Sequence, residues 1–238
     1  MRQMPLNITL RNEASFDSFV AEAESLAMVL YQLQMAIIRQ QGGAWYFYGP
    51  EGAGKTHLLQ AACRFAQQWE RRCVYLDLED EEVRNFPDLL KGLEEMEVLC
   101  LDAVDAVLSE SSWQDRLGQV LLQAQTLGHM VLLSGQQPMG DWPLQSEVLA
   151  DALATVVPVS VMPLLERESI MLAVQRHGQV RGLQLPKSVI SYLIRVFSED
   201  LEAVLLALQR IEQVSLIEKR RITLPFVKRV LSHQEPVV

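Results

Sequence analysis

Eight consecutive residues, Gly49-Pro50-Glu51-Gly52-Ala53-Gly54-Lys55-Thr56, fit the pattern GxxxxGK[ST]. Each residue type in it has work to do at a phosphate. The glycines let backbone N–H groups converge on phosphate oxygens, Lys55 supplies a point charge to the outer phosphates, and the Thr56 hydroxyl can ligate Mg²⁺. A short apolar run precedes the loop and a helical pattern follows it, and the helix N-terminus adds the positive end of its dipole. We therefore read Pro50, Glu51, Gly52, Ala53, Gly54, Lys55, Thr56 and His57, which continues into the helix, as nucleotide-binding.

A phosphate loop of this kind needs a carboxylate on a neighbouring strand to hold the metal. Val98-Leu99-Cys100-Leu101-Asp102 has that form, four apolar residues ending in an acid, so Thr56 and Asp102 are the expected Mg²⁺ ligands. The residue after Asp102 is Ala103. It has no acceptor for the proton of an attacking water, which predicts weak or absent hydrolysis. Asp105 is a weaker substitute two residues on. Ser134 ends a later strand and is a candidate neighbour of the terminal phosphate.

These residues must be positioned by a larger frame. Strand-like runs at Trp45–Tyr48, Cys73–Leu78, Val98–Leu101, Met130–Ser134 and Thr155–Val161 alternate with helical patterns, the first over residues 21–41. Five short apolar strands separated by helices predict an α/β fold, a parallel sheet with helices on both faces. After Met162-Pro163 the strand signal stops, and residues 164–180, 187–197, 199–218 and 225–231 read as helices. The expected division is a tail at 1–13, an α/β domain at 14–161 and a small all-helical domain at 162–238.

Charge and composition narrow the function. The 238 residues carry a net charge of −9, which argues against a whole-surface DNA binder. Cys63, Cys73 and Cys100 lack metal-ligand spacing and sit in apolar runs, so they read as reduced, buried and structural, as in a cytoplasmic protein. His57, His129, His177 and His233 are scattered without zinc spacing. Trp113 and Trp142 read as core. No leader or membrane span is expected.

Ala14-Ser15-Phe16-Asp17-Ser18-Phe19-Val20 and the stretch GPEGAGKTHLLQAA from Gly49 to Ala62 resemble the ATPase domain of the replication initiator DnaA. Residues Gln179–Pro186 and Arg221–Lys228 are similar to segments of the Hda-like regulatory inactivators within that DnaA-homologous family. The resemblance runs from Gln3 to Leu231. It implies an AAA+ P-loop NTPase fold with a helical lid, an adenine nucleotide (ADP or ATP) with Mg²⁺, and no DnaA-type DNA-binding domain, hence no direct sequence-specific DNA binding. It also implies DnaA and the DNA polymerase sliding clamp as partners, with Gln3, Met4, Pro5 and Leu6 as a clamp-binding-like motif. Head-to-tail homo-oligomers are compatible with such a fold.

Two positions depart from the family pattern. The arginine that such regulators lend to DnaA-bound ATP aligns with Ala152, and there is no Lys or Arg between Arg116 and Arg167. An arginine finger contributes roughly 10³–10⁵ in rate. The lid's sensor arginine aligns with Glu199, in a cluster with Asp200 and Glu202 that reads as a solvated helix start. Arg195 is a candidate replacement. These departures leave two other readings, a self-contained P-loop ATPase acting as a remodeller or loader, and a nucleotide-stabilised adaptor without the stimulatory arginine.

Overall fold

The structure, a computed structural model, describes residues 14–232. These fall into two units, one of residues 14–16 with Ala23–Pro163, the other of Asp17–Glu22 with residues 164–232.

The first unit is built on five parallel strands: β1 (Gly43–Tyr48), β2 (Cys73–Asp77), β3 (Val98–Asp102), β4 (Met130–Gly135) and β5 (Val156–Ser160), in the order β2-β3-β4-β1-β5. Every residue of β3 and β4 is buried, so both strands read as continuous apolar runs rather than alternating ones. The register sets Asp77 opposite Asp102 and Phe47 opposite Ser134. The carboxyl ends of the central strands therefore share one rim, where ligands bind in open α/β sheets.

Helices α1 (Glu24–Arg39), α2 (Lys55–Gln68), a single turn α3 (Glu81–Arg84), α4 (Ser111–Leu127) and α5 (Glu147–Leu153) complete the unit. The first begins three residues later than its apolar periodicity suggests, because the chain at Ala23 is still extended. Trp113 is wholly buried and its indole N–H donates to the Arg84 carbonyl at 2.9 Å. Trp142 is buried edge-on against the Tyr46 ring, 5.0 Å between centroids. Cys63 and Cys100 are buried, but Cys73 is partly exposed, which corrects its reading as a core residue: it opens an edge strand.

The second unit contains α6 (Arg167–Val180), α7 (Lys187–Val196), α8 (Leu201–Glu218) and α9 (Leu224–Ser232) around a core that includes Val174, Leu193, Val204, Ile211 and Val227. Arg176 donates to the Phe19 carbonyl at 2.7 Å, which attaches residues 17–22 to this unit. α8 starts at Leu201 rather than 199. Ser198 and Glu199 have φ of 52° and 66°, and the Asp200 carboxylate caps the helix by accepting from the Ala203 N–H at 3.1 Å. Glu199 thus lies outside the helix start in which the sequence places it.

Among the described residues no helix is long and apolar enough to cross a membrane, and no cluster of three His, Cys, Asp or Glu could hold a metal ion.

Candidate nucleotide site

The loop after β1 is fixed at its first residue. Gly49 N–H donates to the Gly135 carbonyl at 3.3 Å, and Val161 N–H donates to the Tyr48 carbonyl at 2.8 Å. The backbones approach so closely that a Cβ on Gly49 would lie 1.9 Å from the Val161 oxygen. At the far end Gly54, with φ 86°, is the N-cap of α2, a left-handed conformation open to glycine without steric cost. The loop therefore turns directly into a helix start whose first N–H groups have no helical partner.

Lys55 folds back over this loop. Its ammonium donates to the carbonyls of Gly49 and Pro50, both at 2.8 Å. Partial burial lowers its pKa, opposed by the carboxylates of Asp102, Asp105, Glu51 and Glu79. The charge is held by neutral carbonyls that a phosphate oxygen can displace.

Asp102 closes the site from β3. It is buried, and both of its oxygens are engaged. The Tyr75 hydroxyl donates to Oδ2 at 2.7 Å, the Ser134 hydroxyl donates to Oδ1, and the Ala103 N–H reaches Oδ1 at 3.2 Å. Ser134 Oγ in turn accepts from the Ala103 N–H at 2.9 Å. Ser134 thus stands beside the predicted carboxylate, with its hydroxyl proton directed at Asp102. Burial and the Asp102 charge push the Tyr75 phenol up, and Gln60 is hydrogen-bonded to the same phenol.

Other expected residues have different partners. His57 Nε2 lies 2.9 Å from the Ser15 carbonyl, which ties α2 to the start of the described chain. Asp105 accepts from the Gln136 N–H and so joins the turns after β3 and β4. Ala103 adopts φ 55°. Ala152 is 1% exposed and belongs to the core of the first unit, whereas its neighbour Asp151 is exposed. Of the cations flanking that region in sequence, Arg116 is bonded to Asp88 and Gln119, each at 2.7 Å, and Arg167 pairs with Glu199 at 3.5 Å. Arg195 lies over the Tyr192 ring, 5.8 Å from its centroid. Gln3, Met4, Pro5 and Leu6 lie outside the described residues.

Tyr75 and Gln60 are the residues of the candidate site that motif reading missed. The signal was present, since a tyrosine buried at the centre of the strand CVYLD needs a partner for its hydroxyl.

Residues 167–231 match the family model of the Hda lid domain. The match lies within the second unit. Similar solved structures cover most of the chain. Domain III of the Thermotoga maritima initiator DnaA superposes with a TM-score of 0.71 at 16% identity, over 94% of this chain and 98% of that one. AMPPCP-bound DnaA from Aquifex aeolicus gives 0.63 at 18% identity, over 85% and 66%. The RuvB Holliday junction branch migration motor of Thermotoga maritima gives 0.62 at 15%, over 93% and 73%. The fold is that of a DnaA-like AAA+ protein, an α/β P-loop unit followed by a helical unit that matches the Hda lid model.

Proposed function

We propose that this chain is a nucleotide-bound regulator of replication initiation that acts with the sliding clamp to inactivate DnaA, with weak or absent hydrolysis of its own. The observation that carries the reading is the presence, in one chain, of a phosphate loop built around Lys55 and an Hda lid domain over residues 167–231.

The residues divide the work as follows. The backbone from Pro50 to Gly54 and the start of α2 receive phosphate oxygens, and Lys55 exchanges its two carbonyl partners for them. The AMPPCP bound to the Aquifex aeolicus relative supports an adenine nucleotide. Thr56 and Asp102 offer hard oxygen donors, and Asp102 Oδ2 retains a lone pair beyond the one that accepts from Tyr75, so the pair fits Mg²⁺. When bound, that ion would neutralise phosphate charge. The clamp contact is assigned to Gln3, Met4, Pro5 and Leu6, with Met4 and Leu6 as apolar anchors. Its place of work is the cytoplasm.

A second reading, a nucleotide-stabilised adaptor that regulates by occupancy, is favoured by one observation. The position aligned with the arginine finger is a buried alanine. Release of ADP from ATP-loaded DnaA, measured with DNA-loaded clamp in the presence and absence of this protein, separates the two. Acceleration supports the inactivator. Unchanged release, with all three components shown to bind, supports the adaptor. Failure to bind either partner would sink both.

A further inference from the structure

Cys63 and Cys73 take no part in the phosphate site, yet their sulfurs lie 3.2 Å apart. Cys63 is in the third turn of α2 and is buried, whereas Cys73 opens β2 and is partly exposed. The two thiols are not equivalent. Cys63 S–H donates to Cys73 Sγ, which favours a thiolate on Cys73 and lowers its pKa, with a further contribution from Gln67, against the opposing effects of burial and of the Cys73 S–H contact with the Cys63 carbonyl at 3.3 Å. The same hydrogen bond, together with burial, holds Cys63 protonated. Cys100 is wholly buried and its thiol is pushed well up by that burial. A partly exposed cysteine that favours the thiolate therefore faces a buried partner thiol at 3.2 Å, an arrangement found in redox-responsive cysteines.

We propose that Cys63 and Cys73 form a peroxide-responsive modification site, closing reversibly to a disulfide that joins α2 to β2. In the first step the Cys73 thiolate attacks a peroxide oxygen. An S–O bond forms, the O–O bond breaks, and hydroxide leaves, so that Cys73 becomes a sulfenic acid. In the second step the Cys63 sulfur attacks the Cys73 sulfur. The S–S bond forms, the S–O bond breaks, and the departing hydroxide takes the Cys63 proton as water. Two thiols lose two electrons, and one peroxide is reduced to two waters. The sulfurs need to approach by only about 1 Å to reach bonding distance.

The test uses the full chain. Hydrogen peroxide is added, remaining thiols are alkylated, and the protein is digested with trypsin without reductant. The expected product joins peptides 56–64 and 73–84 with the loss of two hydrogens, and a thiol reductant reverses it. In Cys63→Ser the expected species is a sulfenic acid on Cys73 that dimedone traps, and in Cys73→Ser neither product forms. Complete alkylation of both cysteines in the treated wild type would overturn the proposal. So would a link through Cys100, or a sulfenic acid trapped on Cys63 in Cys73→Ser.

Discussion

The Tyr75 hydroxyl donates to Asp102 Oδ2 at 2.7 Å, while the Ser134 hydroxyl holds Oδ1 from the other side. The strand-end carboxylate is thus braced by both strands that flank it in the sheet. A buried carboxylate without such donors is costly, and hydrogen bonds to a charged group contribute about 1.5–3 kcal/mol each. Tyr75→Phe is therefore expected to lower stability by about 2 kcal/mol in urea denaturation. The raised Tyr75 pKa adds a second readout. The folded protein keeps this proton while the unfolded chain loses it above 10.0, so this contribution to stability is lost as pH rises past 10.0. The phenylalanine variant should show a shallower alkaline fall than wild type. An unchanged urea midpoint would mean that the bond contributes nothing.

Lys55→Ala should reduce nucleotide affinity at least tenfold, measured by titration with a fluorescent ADP analogue, since the loop then lacks its only side-chain cation. The pH dependence follows from the lowered pKa of this lysine. Its charge is lost at a lower pH than that of an ordinary lysine, so wild-type affinity should begin to fall below pH 10.5, the unperturbed value. An affinity that holds level up to that pH would show that Lys55 does not contact the phosphates.

Gly49 has no room for a side chain, because its Cβ would meet the Val161 carbonyl at 1.9 Å and both backbones are fixed by hydrogen bonds. Gly49→Ala is expected to cost about 3 kcal/mol, near the upper end of overpacking substitutions, and to weaken nucleotide binding with it. Calorimetric melting of the variant at wild-type temperature would show that the loop can move aside.

Much of this arrangement is legible in the sequence because it rests on local rules. Five apolar runs separated by helical periods give the parallel sheet, and GxxxxGK[ST] after a strand gives the loop and the Lys55 environment. What the sequence hides depends on register between distant strands. Asp102 is readable as an acid at a strand end, but its bonds to Tyr75 and Ser134 follow from the order β2-β3-β4, which no local pattern encodes. His57 follows the motif directly, yet its ring faces Ser15, which lies 42 residues earlier. The cysteines read alike along the chain, and only the return of β2 past α2 makes two of them neighbours.

In the second unit the start of α8 is set by Asp200, whose carboxylate accepts from the Ala203 N–H. Asp200→Ala should lower stability by about 1 kcal/mol, the usual effect of losing an N-cap. Glu199 lies one residue earlier and makes only a half-exposed pair with Arg167. Glu199→Gln should therefore leave the melting temperature nearly unchanged, as for most exposed pairs. The reverse ranking would mean that Glu199 rather than Asp200 organises this turn.

Ala152 bears on whether a missing arginine could be restored. Residues 147–153 form α5, and Gly118 of α4 lies so close to this helix that a Cβ there would come within 2.6 Å of the Leu149 nitrogen. Ala152 is one turn from that contact and buried. A long cation there must overpack the α4–α5 contact or leave a charge in an apolar core. Ala152→Arg is thus expected to cost about 3 kcal/mol in urea denaturation, without accelerating ADP release from ATP-loaded DnaA. Asp151→Arg, on the exposed face of the same helix, should fold as wild type. If Ala152→Arg instead folds with wild-type stability and speeds release, the guanidinium has a path out of the core. The alanine would then be the whole reason for a lost stimulatory role.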